Sequence, residues 1–342
     1  MPDLRLLVVG AGAIGGVIAA KLTRAGYDVT ALDANRAHVE RMRVPGLVLE
    51  DLEDTCQIPI RAEYDADALD RRFDFALITV KAPYLEAALT PLVEADLVDT
   101  YVALGNGLVQ HRLGRLVGKN RLMVGLVEWG ATNLGPGRIA QTTRAPFVIG
   151  AHGARTPALC EALGHVAEVC VSTDIASQVW SKLLVNSTFS GLGAVTGLLY
   201  GQVVGSVVGR RVALSLWTEG FDVARACGAT PEKVLGVHPE QLLVRSVEDM
   251  PTAEVPLRIL MSAAAATKAS MLQDLERGAV TEVDDINGGV VREGAQVGLP
   301  TPLNQRIVDL VHDCEQGHRQ PEPAALDLLD DLVATRLPAE PA

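Results

Sequence analysis

The chain has 342 residues, 48% of them hydrophobic, and carries 30 Lys and Arg against 42 Asp and Glu, a formal charge of −12. Its length exceeds what one core usually serves, so two domains are expected, and the acidic balance repels a phosphate backbone and argues against nucleic acid as a partner. No apolar run approaches the ~20 residues of a membrane span, and MPDLRLLVVGAG leads straight into a strand where a signal peptide would differ, so a cytosolic protein with no membrane partner is expected.

Residues 4–9 form a run that is apolar apart from Arg5, followed at once by Gly10-Ala11-Gly12-Ala13-Ile14-Gly15 and an amphipathic stretch closed by Gly26. A G-x-G-x-x-G alone says little. Between a buried strand and a helix it predicts a dinucleotide-binding turn. Gly10 permits the tight turn, Gly12 lets a pyrophosphate approach the backbone, and Gly15 lets helix and strand pack closely. Ala13 and Ile14 open the helix whose N-terminus would face the phosphates.

The next strand, residues 27–32, ends in Asp33, about twenty residues past the glycines, where a carboxylate can accept from the adenosine ribose hydroxyls. That favours NAD over NADP. Arg36, three residues on, is positioned to meet a 2′-phosphate instead, so both cofactors stay open. Residues 50–72 are charged and turn-rich. Residues 73–80 read as a buried strand delivering Lys81 and Ala82 at its carboxyl end, and residues 101–104 do the same for Gly105-Asn106-Gly107. In a doubly wound sheet those ends form the ligand crevice, although Lys81 also fits a solvated strand end and Asn106-Gly107 an ordinary turn. Residues 122–128, 138–141 and 146–149 predict short strands, some antiparallel because their links are short. A helix over 157–166 and a strand over 168–172 complete the first half.

From residue 175 the pattern turns helical: 175–196, 204–227, 231–237, 256–277, 282–297 and 302–316. In the first of these, Lys182, Asn186 and Ser190 fall four apart on one face of an apolar helix. Lysine seldom occupies such a surface without a partner, so it either snorkels at the helix edge or points into a cleft. Thr267, Ser270 and Asp274 fall on one face of a later helix, and Thr281 is placed to cap the next, leaving Glu282 in its first turn, where the helix dipole alone favours a carboxylate. The five cysteines, Cys56, Cys160, Cys170, Cys227 and Cys314, are scattered without a C-x-x-C pair, and the seven histidines form no H-x-x-x-H pattern. Reduced packing cysteines and no metal are expected.

GAGAIG, TVKA, GNG, VWSKLLVN and SMLQDLERGAVTEVDDINGGVVREG, in that order over residues 4–313, resemble the ketopantoate reductase (2-dehydropantoate 2-reductase) family. The resemblance implies an α/β fold with an N-terminal Rossmann-type doubly wound sheet and an all-helical C-terminal domain, here residues 1–173 and 174–335 with a frayed tail over 336–342, and an active site in the cleft between them. It implies an enzyme that moves hydride from NAD(P)H to the ketone of a 2-oxo acid, with ketopantoate first among substrates and pantothenate biosynthesis as the setting. By motif, Lys182 matches the catalytic lysine and Glu282 the glutamate supporting it. Asn106 matches the asparagine near nicotinamide and substrate, Lys81 the lysine after the fourth strand, Asn186 the asparagine one turn past the catalytic lysine, and Ser270 the serine holding the substrate carboxylate. Ser190, Tyr200 and Thr267 stand where ketopantoate-reducing members commonly carry asparagines. Ser190 can still hydrogen-bond substrate, whereas Tyr200 changes the pocket. This admits an NAD-dependent D-2-hydroxyacid dehydrogenase acting on another branched or aromatic 2-oxo acid. A non-catalytic NAD(P)-sensing protein is a more remote rival, disfavoured by the retained Lys182, Asn186, Ser270 and Glu282. The resemblance is compatible with a homodimer formed through the helical half.

Overall fold

The computed structural model describes residues 4–336; the tail expected over 336–342 lies outside these apart from Arg336, the last residue of the final helix. The chain divides between Ile175 and Ala176 into two compact units.

The first unit contains strands β1 (Arg5–Val9), β2 (Asp28–Leu32), β3 (Leu47–Glu50), β4 (Thr55–Ile58), β5 (Arg61–Glu63), β6 (Phe73–Ile78), β7 (Val98–Ala103), β8 (Leu122–Val127), β9 (Ala131–Gly135), β10 (Arg138–Gln141), β11 (Phe147–Gly150) and β12 (Val169–Ser172). Its helices are α1 (Ala13–Arg24), α2 (Arg36–Arg41), α3 (Leu85–Glu94), α4 (Gln110–Val117) and α5 (Thr156–Leu163). The main sheet runs β12-β11-β8-β7-β6-β1-β2-β5, parallel throughout except for the β8–β11 pair. β1 is apolar from Leu6 to Val9 because both its faces are covered. Leu6 and Val8 join a core with α1 and α5, while Leu7 and Val9 join one with α3 and α4. The strand order reverses between β1 and β6, which makes their carboxyl ends the ligand crevice of such a sheet.

Residues 50–72, read as turn-rich, contain β4 and β5, and β9 also went unseen. β3, β4, β9 and β10 build a second sheet, ordered β4-β3-β10-β9. β4 and β9 are short and largely exposed, so they lack the apolar runs that mark the central strands. The second sheet covers α1, and a Cβ on Gly16 would sit 2.8 Å from Ile139 Cδ1.

The second unit is helical: α6 (Ile175–Val185), α7 (Gly191–Thr196), α8 (Tyr200–Val203), α9 (Val207–Ala226), α10 (Met250–Ala264), α11 (Ser270–Glu276), α12 (Asn287–Gln296), α13 (Pro302–Glu315) and α14 (Ala325–Arg336). Three helical expectations need correction. Residues 231–237 form a tight turn closed by Val234 and Val237, with Leu235 and Gly236 at positive φ, so no helix continues there. The helix expected over 256–277 breaks between α10 and α11. The Ala265 and Thr267 carbonyls there accept from Gly201 and Tyr200 amides, a tertiary capture that periodicity cannot register. Thr267 therefore lies outside the helix that carries Ser270 and Asp274. Glu282 precedes its helix instead of occupying the first turn. Thr281 Oγ1 accepts from the Val283 amide at 3.2 Å, the Glu282 carbonyl closes a turn with Asp285 and Ile286, and Ile286 (φ −89°, ψ −85°) delays helical geometry until Asn287.

Candidate active site

In the first unit the sheet order β7-β6-β1-β2 brings four strand ends side by side, carrying Asn106, Lys81, the glycine turn and Asp33 respectively. Gly10 (φ +87°) is required by close approach: a Cβ there would meet the Val80 amide nitrogen at 2.6 Å. A Cβ on Gly15 would lie 2.0 Å from the Gly10 carbonyl, which bars any side chain. Gly12 differs. Among the described residues nothing lies within 4 Å of its Cβ position, so the front of the turn is open where the N-terminal amides of α1 begin. Tight packing behind and open space before the helix amides fit a dinucleotide pyrophosphate.

Thr79, which sequence reasoning passed over, donates from Oγ1 to the Gly10 carbonyl at 2.6 Å. A hydroxyl at the end of a buried strand beside the switch point was the available signal. Lys81 is half-buried, and the loop after it is anchored by Arg112, which donates to the Ala82 carbonyl and pairs with Glu86 at 3.0 Å. Asn106 is half-buried in the turn after β7, with Gly107 at φ +78°. Asp33 accepts from the Asn35 amide at 2.9 Å, which starts α2 with Asn35 as its cap. Arg36 lies over the Tyr64 ring, 4.4 Å from its centroid, a cation–π contact beside the Asp33 strand end.

In the second unit Lys182 and Asn186 are half-buried, whereas most of α6 is buried. The segment Asn186–Ser190 closes as a π turn, so the four-residue spacing no longer stacks Ser190 directly over Asn186. Ser190 is buried and faces the Tyr200 phenol outside ordinary hydrogen-bond geometry. Burial pushes that phenol up to about 12, and the neighbouring Ser190 hydroxyl acts weakly in the other direction. Because Tyr200 N–H donates to the Thr267 carbonyl at 3.1 Å, the three positions that depart from the family pattern, Ser190, Tyr200 and Thr267, are neighbours. Ser270 is exposed at the start of α11, directly after Ala269, whose Cβ would lie 2.7 Å from a Cβ on Gly193. Glu282 is 5% exposed. Asn287 Nδ2 donates to the Ser187 carbonyl at 2.8 Å, which ties the segment after Glu282 to the segment after Lys182. Among the described residues no group of three or more His, Cys, Asp or Glu is placed to hold a metal.

A Rossmann-type sheet with an open glycine turn, followed by a helical unit carrying a half-buried lysine, defines a class of nicotinamide-dependent oxidoreductases. Residues 6–154 match the family model described as ketopantoate reductase PanE/ApbA, and residues 174–315 match its C-terminal counterpart. The chain belongs to the ketopantoate reductase family and is an NAD(P)-dependent 2-oxoacid reductase. It is 27% identical to the 2-dehydropantoate 2-reductase of Archaeoglobus fulgidus over 92% of this chain and 98% of that protein, and 27% identical to that of Pyrococcus horikoshii over 90% and 96%. The crystal structure of a ketopantoate reductase from Ralstonia eutropha JMP134 superposes with a TM-score of 0.80 at 26% identity, covering 92% of this chain and 99% of that one. A D-mandelate dehydrogenase solved with NADH and anilino(oxo)acetate shares the fold, with a TM-score of 0.77 at 22% identity and 92% and 99% coverage. No helix among the described residues is long and apolar enough to cross a membrane.

Proposed function

We propose that the chain reduces ketopantoate to pantoate, with NADH preferred, as a cytosolic enzyme of pantothenate biosynthesis. Lys182 is the proton donor and Glu282 its supporting carboxylate. Asn106, Asn186, Ser190 and Ser270 contact substrate; Gly10, Gly12, Ala13, Ile14, Gly15, Asp33, Lys81 and Asn106 surround the cofactor. A homodimer formed through the helical unit belongs to the same proposal.

The bound cofactor supplies hydride to C2 of the 2-oxo acid. As C2 becomes tetrahedral its oxygen turns into an alkoxide, so an ammonium bonded to that oxygen stabilises the transition state more than the ground state. Lys182 can then pass a proton to the oxygen, leaving a neutral amine to be reprotonated from water. Glu282 would orient the ammonium, and Ser270 would hold the substrate carboxylate. The observation that carries this reading is a half-buried lysine between the buried Ser181 and Leu183 of α6, in a chain matched by both family models.

A second reading, an NAD-dependent D-2-hydroxyacid dehydrogenase acting on a branched or aromatic 2-oxo acid, is favoured by Tyr200. Its buried ring sits 5.6 Å from Phe189, so a smaller amide side chain is replaced by part of an aromatic cluster. Oxidation of NADH and NADPH by purified protein, compared across ketopantoate, 2-oxoisovalerate and phenylglyoxylate, separates the two. A kcat/KM for ketopantoate orders of magnitude below the others would replace the first reading by the second.

A further inference from the structure

His38 is 2% exposed on α2, and both its ring nitrogens are used. Nδ1 accepts the Gly137 amide proton at 2.9 Å, so Nδ1 carries no hydrogen. Nε2, 2.8 Å from the Ala11 carbonyl, must then be the donor. Neutral imidazole offers one donor and one acceptor, and this pair of partners selects the Nε2–H tautomer.

The carbonyl it grips belongs to the glycine turn. The peptide unit is planar and trans, so fixing the direction of the Ala11 carbonyl fixes the Gly12 N–H in the opposite direction. Thr79 does the same for the preceding peptide through the Gly10 carbonyl at 2.6 Å. Gly137 lies in the β9–β10 turn of the second sheet at φ +75°, and a Cβ there would meet Arg41 Cβ at 2.4 Å. Only a glycine brings that amide up to His38.

We propose that His38 is a positioning residue for dinucleotide binding: braced by Gly137 of the second sheet, it holds the Ala11–Gly12 peptide so that its amide is presented to the cofactor pyrophosphate. The proposal rests on the dinucleotide reading of the turn and assigns the second sheet a part in it. A folded protein that lost this brace would keep its fold and its substrate contacts while the amide lost its fixed direction.

The test compares wild type, His38→Ala and His38→Gln, titrated with NADH and with ADP-ribose, which carries the pyrophosphate but no nicotinamide. In His38→Ala the Kd for both ligands should rise about tenfold, equivalent to about 1.4 kcal/mol. At saturating cofactor, kcat and the KM for the 2-oxo acid should change less than about twofold. His38→Gln, which restores a donor to the Ala11 carbonyl, should recover most of the affinity. An unchanged Kd in folded His38→Ala, or a loss that Gln does not relieve, overturns the assignment. Should the alanine variant not fold, wild type labelled with 15N-histidine decides: a protonated Nδ1 on His38 at neutral pH overturns the brace. Wild type that bound neither ligand would overturn the dinucleotide reading as well, whereas unchanged affinity in the variants strikes His38 alone.

Discussion

Glu219 holds Asn304 at two points, its Oε1 accepting from the backbone amide at 2.8 Å and from Nδ2 at 2.9 Å, while Oε2 takes the Leu303 amide at 3.1 Å. A carboxylate from the middle of α9 thereby caps the first turn of α13, where amides have no partner within their own helix. Asn304 Oδ1 in turn accepts from Asn287 Nδ2, which also reaches Ser187. One buried relay thus joins α9, α13, α12 and the π turn following α6.

Replacing Glu219 by Ala would leave three buried donors without this acceptor, and urea unfolding should show a loss of about 3 kcal/mol or more. Glu219→Gln keeps one acceptor oxygen and should lose less. Equal stability of wild type and the alanine variant would show that the relay does not hold these helices.

The glycine turn predicts opposite outcomes at two neighbouring positions. Gly15→Ala forces a methyl into the Gly10 carbonyl and should cost about 2–3 kcal/mol of stability. Gly12→Ala meets open space, so its thermal midpoint should stay near that of wild type, while the Kd for NADH rises roughly tenfold or more as the methyl obstructs the approach of pyrophosphate. Tight NADH binding by Gly12→Ala would remove the turn from the cofactor site.

Lys182→Ala should lower kcat by roughly 10²- to 10⁴-fold, the range for loss of a positioned acid, with little change in the Kd for cofactor. Rapid-reaction kinetics with NADH and the best 2-oxo acid would read both quantities. A kcat within a few-fold of wild type would leave Lys182 a snorkelling surface residue.

Cofactor choice turns on Asp33 against Arg36. Asp33→Ala should weaken NADH by about tenfold and NADPH much less, because a charge-assisted bond to the ribose hydroxyls is lost only with NADH. Arg36→Ala, which removes the guanidinium from the Tyr64 ring, should act chiefly on NADPH. Equal losses for the two cofactors in Asp33→Ala would contradict the NAD preference.

Acid stability should depend on Asp51. Burial alone would raise its carboxyl, but the Lys21 ammonium at 3.0 Å and the Leu52 amide at 2.7 Å hold it below its ordinary value of 3.8. A depressed native value means the unfolded chain binds the proton first as pH falls. The stabilisation is therefore complete well above 3.8 and is lost as pH drops through the lower native value. Asp51→Asn should be less stable than wild type at neutral pH by about 1–2 kcal/mol, with the gap closing in strong acid. A gap independent of pH would assign the effect to packing.

The central strands and the glycine turn were legible in the sequence because each is specified locally. Buried parallel strands are apolar throughout, and a turn against a neighbouring backbone admits only glycine. The motif order marked Lys182, Asn106 and Ser270 as candidates for the same reason, since each follows a recognisable stretch of chain. What periodicity could not supply were features made by distant partners. The break before α11 arises because Tyr200 and Gly201 take carbonyls that local spacing assigns to a helix. The late start of α12 follows from the Thr281 and Glu282 turn, and the relay from Glu219 to Ser187 spans helices far apart in sequence. His38 is the clearest instance. In the sequence it is one histidine on a short helix, and only the fold brings Gly137 to one side of its ring and the Ala11 carbonyl to the other, because hydrogen-bond partners are chosen by position in space and not by separation along the chain.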